Sequence, residues 1–151
     1  MKLWSENGAD SAGAQLRFTV DKVVKDINRQ AASRGTRAVN AIRNAELRVL
    51  KGQRSGRVYR MPNSKATYRA SAPGEPPARR TGALRLQWTG DVVGRSNSRG
   101  GVTVVAKLES QTPYAGYLED GTPMTAPRPF VEPIKAKATP EIMKIYNEPY
   151  R

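Results

Sequence analysis

Between Leu16 and Val49 the apolar residues return every three or four positions, at Leu16, Val20, Val23, Ile27, Ala31, Ala38, Ile42, Ala45 and Val49. Steps of that size place all of them on one face of an α-helix, so Ala14 to about Leu50 reads as one long amphipathic rod of about ten turns. Gly35, beside Ser33 and Thr36, is the weak point, open to a kink or to a division into two helices, because an interior Gly costs roughly 1 kcal/mol relative to Ala. Gly52 marks the stop.

The segment that follows is different in kind. From Gly52 to Arg80 the chain carries Pro62, Pro73, Pro76 and Pro77 among Gly and Ser, together with two short β-prone stretches, Arg57 to Arg60 and Thr67 to Arg69. Tyr and Val favour strands while the prolines exclude a central ladder position, so an extended arm (52–80) or a loosely paired hairpin is expected. Leu84, Leu86 and Trp88 then alternate as in a half-buried strand, and Val102 to Leu108 is the clearest strand in the sequence. With a turn at Asn97 to Gly101, the two should pair as an antiparallel hairpin. Pro113 to Glu119 is a helical turn or a short strand, and Thr125 to Phe130 is extended, since residues before Pro avoid the helical region. Thr139-Pro140-Glu141 has the pattern of a helix start, opening a short C-terminal helix through Ile142, Ile145 and Tyr146. The expected fold class is α+β: a single domain over residues 1–151 in which the long helix backs a small antiparallel sheet, preceded by a flexible N-terminus (1–13).

Charge is regional. Lys51 to Lys107 holds twelve Lys and Arg against Glu75 and Asp91, whereas residues 108–151 come to five basic against six acidic. The formal net charge of +13 costs self-repulsion unless an anionic partner offsets it. The chain has no Cys and no His, which removes zinc sites, thiol catalysis, disulfides and the imidazole base, and no cofactor or metal is expected. The opening MKLWSENGAD lacks the apolar core of a signal peptide, and no apolar run approaches the roughly 20 residues needed to cross a bilayer. A chain kept in a cytosol-like compartment, with no membrane partner, is expected.

Charge runs usually solvate a surface. Against that, Arg54, Arg57, Arg60 and Arg69 are interleaved with Tyr59 and Tyr68, a combination that stacks and pairs with phosphates and suits an acidic protein groove equally well. No DNA- or RNA-binding signature is present, so any DNA contact is expected to be backbone-directed and salt-sensitive. Glu119-Asp120 is an isolated acidic pair, more often a surface turn than a catalytic site. Trp88 and Phe130 read as core residues, and Trp4, in a polar terminus, as an anchor on a neighbouring subunit.

Four blocks, ASAPGEPP (70–77), RTGALR (80–85), YAGYLEDGT (114–122) and RPFVEP (128–133), resemble in order the tail-component, or head–tail joining, family of long-tailed bacteriophages. Position 120 departs from the pattern, with Asp120 where an aromatic or other apolar residue is common. The resemblance implies a small virion protein that forms a homo-oligomeric ring at the neck or upper tail, joins the tail to the DNA-filled head, and turns over no substrate. It implies a helix on a twisted antiparallel sheet, with a Pro-rich loop at Ser71 to Pro77 containing Pro73, Glu75 and Pro76. It also implies a strand entered at Thr81-Gly82, a turn near subunit contacts at Glu119, Gly121 and Thr122, and Arg128-Pro129-Phe130 preceding the final helix.

Arg54, Arg57, Tyr59, Arg60, Tyr68, Arg69, Pro73, Glu75, Pro76, Glu119, Thr122 and Arg128 are the expected partner-binding residues. The partners implied are further copies of the chain, an adjacent head-connector or tail-tube or terminator protein, and DNA passing transiently through the channel; the isolated chain is compatible with a monomer. The location implied is the virion, with assembly in the host cytoplasm. An acidic protein surface is the favoured target of the arm, because a strongly basic bore would hold DNA that must leave quickly. The alternative is a basic, sequence-nonspecific nucleic-acid-binding structural protein, which predicts tight duplex binding with a steep salt slope.

Overall fold

The computed structural model describes residues 6–96 and 100–151, with side chains from Ser11 onward. Trp4 and the turn residues Asn97, Ser98 and Arg99 lie outside the described residues. The fold is α+β: a long N-terminal helix, two antiparallel two-stranded sheets and a shorter C-terminal helix. No helix among the described residues is long and apolar enough to cross a membrane.

Helix α1 runs from Glu6 to Lys51, 46 residues without interruption, which at 1.5 Å per residue is about 70 Å. It starts earlier than the periodicity suggests, so the expected flexible N-terminus (1–13) is helical from Glu6. It also passes straight through Gly35. That glycine serves close approach: a Cβ there would stand 2.6 Å from Val104 Cγ1 and 2.7 Å from Val92 Cγ1. The hairpin of β3 (Trp88–Ser96) and β4 (Val102–Ser110) therefore lies directly on the helix backbone. Gly90 does the same from the strand side, where a Cβ would collide with Val39. The two strands pair from Trp88↔Ser110 to Ser96↔Val102, and alternate residues of β4 are half-buried, as expected of a sheet with one covered face.

Leu84, Leu86 and Trp88 do not form one strand. Gly82, at φ 89°, turns the chain into a single helical turn, α2 (Ala83–Leu86), which sends Leu84 inward and leaves Leu86 62 % exposed. Thr81-Gly82 thus enters a helix, and the strand begins at Trp88. Trp88 Nε1 donates to the Leu84 carbonyl, and its ring meets Phe130 edge-on at 6.1 Å. The core around them contains Ala45, Val49, Leu50, Leu84, Phe130, Ile134 and Ala138, with Ile42, Leu118 and Ile142 packed against it.

α3 (Ala115–Asp120) is the helical option for the third apolar segment. α4 (Val131–Tyr146) begins well before Thr139, and Pro140 lies inside it. Its start is set by Glu119, whose Oε2 accepts the amides of Phe130 (2.8 Å) and Val131 (3.2 Å) and puts a carboxylate at the helix N-terminus. Thr139 caps nothing; its Oγ1 donates back to the Lys135 carbonyl at 2.7 Å. α4 buries Ile134, Ala138 and Ile145, and packs along α1.

The tail after α4 returns to α1. Glu148 accepts two hydrogen bonds from the Arg37 guanidinium (2.5 and 2.6 Å), the buried Arg34 lies 3.7 Å from the ring centre of Tyr150, and Gln30 accepts the Arg151 amide at 3.1 Å. These contacts mark where the covered part of α1 ends.

Candidate interaction surfaces

The arm divides into a pinned base and a projecting tip. At the base, Arg54 donates to the Pro77 carbonyl through Nε (3.1 Å) and Nη2 (3.0 Å), and to the Val49 carbonyl (2.8 Å) in the last turn of α1. Partial burial lowers the Arg54 pKa, with the Glu75 charge opposing. Glu75 accepts from the Ser55 hydroxyl (2.6 Å), the Ser55 amide (3.1 Å) and the Ala72 amide (2.9 Å). The Ser55 hydroxyl, then the Ala72 and Ser55 amides, hold its carboxyl at about 2. Arg128 donates to the carbonyl and hydroxyl of Ser71 and to the Ala72 carbonyl. The Gly74 amide donates to the Pro127 carbonyl.

Arg54, Glu75 and Arg128 are therefore engaged inside the chain and fix the loop that carries Pro73 and Pro76, while Glu119 is spent on the start of α4. The base of the arm thus takes its order from within the chain, and these residues are not free for the partner contacts expected of them. Within that loop Pro73 remains exposed and Pro76 half-buried.

Beyond the base the arm is a hairpin, the second of the two options read from the sequence. β1 (Val58–Arg60) pairs with β2 (Thr67–Arg69), closed by the Met61 amide donating to the Ala66 carbonyl at 2.8 Å. Tyr59 and Tyr68 stand opposite each other and stack at 5.9 Å, with Arg57 5.8 Å from the centre of the Tyr59 ring. Arg57, Tyr59, Arg60, Lys65 and Arg69 are exposed. Arg60 and Arg69 each spend one donor on a local carbonyl, Ser64 and Gly56. Thr122 and Asp120 are exposed at the turn after α3, where Met124 is 96 % exposed.

The second surface is one the sequence reading missed. Leu16, Val20, Val23 and Ile27 continue the apolar stripe that Ala38, Ala45 and Val49 bury, yet they are 66, 51, 51 and 40 % exposed. Among the described residues, every position of α1 from Ser11 to Val23 is exposed, and half-burial begins at Val24, Asp26, Asn28 and Gln30. The clue lay in lengths: strands of nine residues span about 30 Å and the 16 residues of α4 about 24 Å, so neither can line a rod of about 70 Å. By helical geometry Lys22, Lys25 and Arg29 fall on the opposite face, so the bare stripe itself carries no charge.

Among the described residues no group of three or more His, Cys, Asp or Glu could hold a metal ion. Comparison with family models, curated proteins and solved structures finds no match to this chain.

Proposed function

We propose that the chain is a structural subunit of a bacteriophage virion, one member of a ring at the neck or upper tail that joins the tail to the DNA-filled head. The observation that carries this reading is the bare, uncharged stripe of α1. A helix that carries a core-grade apolar face through about 20 Å of fully exposed rod, Ser11 to Val23, with Ile27 still 40 % exposed beyond it, leaves a surface suited to burial by another protein. In a closed ring the same heterologous contact repeats at every subunit and leaves no face unpaired. The basic hairpin supplies a second contact, directed at the acidic surface of an adjoining connector, tail-tube or terminator protein. Function then follows from shape and order of assembly, with no substrate turned over. The order of the four sequence blocks supports the same assignment.

The test is to label the chain in intact and partly assembled particles. Labelling at the head–tail junction supports the ring, and particles that join normally without the chain would refute it. Reversal of Arg57 and Arg60 to Glu should block joining while DNA-filled heads still form.

A second reading rests on the hairpin alone: exposed Arg57, Arg60, Lys65 and Arg69 around stacked tyrosines suit sequence-nonspecific nucleic-acid binding. It predicts duplex affinity that falls steeply with salt, and gives the α1 stripe no role.

A further inference from the structure

A trough of about 820 Å³ lies between the base of the arm, α2 and α3. Its floor is aliphatic, made by Leu50, Leu84 and Leu118, and Tyr68 and Tyr114 contribute aromatic lining. Four arginines line it and no carboxylate does. Of these, Arg128 is spent on the Ser71 and Ala72 acceptors. Arg79 and Arg80 are exposed, and among the described residues their side chains form no hydrogen bond or ion pair. Arg85 also lines the trough, but its charge is turned partly to the buried Glu46, and its Nε is buried with no hydrogen-bond partner among the described residues.

We propose that this trough binds an extended acidic segment of a partner protein, with carboxylates on Arg79 and Arg80 and intervening apolar side chains on the leucine floor. The argument is one of complementarity. A cationic rim without acids selects an anion, guanidinium forks match carboxylates, and the volume falls in the range of pockets that take drug-sized ligands, the bulk of a few residues of an extended chain. An extended chain sends successive side chains to opposite sides, which is what a charged rim over an apolar floor requires. A nucleic-acid strand fits less well, because its charge is continuous and would leave the aliphatic floor uncovered; a duplex does not enter a space of this size. The inference concerns the isolated chain, so it stands or falls independently of the ring.

Fluorescence anisotropy of the full chain with a labelled peptide of alternating Glu and Leu tests it, against an oligoglutamate of equal charge and an oligothymidylate. The alternating peptide should bind tightest. Arg79→Glu with Arg80→Glu should weaken it about tenfold, while Arg57→Glu with Arg60→Glu on the hairpin should change it less than about threefold. Thr125→Trp, at an exposed lining position whose side chain makes no hydrogen bond, should block binding without altering charge, with an unchanged melting curve as the folding control. The proposal is overturned if the alternating peptide does not bind or if either comparator binds equally well. Equal losses from the rim and hairpin variants would also overturn it.

Discussion

Glu46 is fully buried on α1, and its ionisation should be visible as pH-dependent stability. Its Oε2 accepts a hydrogen bond from Arg43, whose guanidinium also donates to the Arg85 carbonyl at 2.9 Å, while Oε1 has no partner among the described residues. Burial outweighs the attraction of Arg43 and Arg85 and raises the carboxyl from 4.5 to about 7. With the folded pKa above the unfolded one, the folded state holds the extra proton. Stability should therefore fall as pH rises from about 4.5 and level off above about 7, once Glu46 is ionised in both states.

A factor of ten in proton affinity is about 1.4 kcal/mol, so the full drop is on the order of 3 kcal/mol. For a chain of this size that corresponds to roughly 6–12 °C in Tm. The window is clean because the chain has no histidine, which leaves the α-amino group as the other ordinary titration between pH 5 and 8. Urea denaturation across this range measures the slope directly. Glu46→Gln keeps an acceptor for Arg43 but cannot ionise, so its curve should be level where the wild type declines. The slope carries the test, since any offset from leaving Arg43 and Arg85 less compensated is the same at every pH. A flat or rising wild-type profile, or a Glu46→Gln variant that keeps the decline, would refute the reasoning.

Three further outcomes follow from other parts of the molecule. Gly35→Ala should destabilise by up to about 2 kcal/mol in urea titration, because crowding Val92 and Val104, at about 1–3 kcal/mol, outweighs the roughly 1 kcal/mol gain in helix propensity. The folded pKa of Glu75 is depressed to about 2, so its contribution is present above its ordinary 4.5 and lost as pH falls toward 2. Amide protection factors at Ser55 and Ala72, taken relative to the intrinsic rate at each pH, should fall over that range ahead of the core, and in Glu75→Gln they should already be low at neutral pH. Replacing Leu16, Val20, Val23 and Ile27 together by Gln should change the stability of the isolated chain by no more than about 0.5 kcal/mol per site, yet abolish incorporation into joined particles.

Periodicity was enough to find α1 and strand β4, because a stripe from Leu16 to Val49 and the run from Val102 to Leu108 each carry their signal locally. It was misleading where a local rule competed with a distant contact. Thr139-Pro140 looks like a helix start, but the carboxylate of Glu119 already caps the helix at Phe130 and Val131. Leu84, Leu86 and Trp88 alternate, but the left-handed Gly82 turns the first two out of strand geometry. The arm residues show the same limit. Nothing local says that Arg128 reaches Ser71, 57 positions away, or that Glu75 holds Ser55 across 20. Arg57, Tyr59, Arg60 and Tyr68 were legible as a unit because two three-residue strands bring them together. The bare half of α1 was hidden for the opposite reason: its residues follow the core pattern faithfully, and only the reach of the covering elements separates the buried stretch from the exposed one.

The proposal that a neighbouring subunit covers the α1 stripe can be measured at one atom. The chain has no cysteine, so Val20→Cys introduces a unique thiol at a position 51 % exposed in the isolated molecule. That thiol should react rapidly with a maleimide in the free protein and be protected in joined head–tail particles. Equal reactivity in both states would contradict the account.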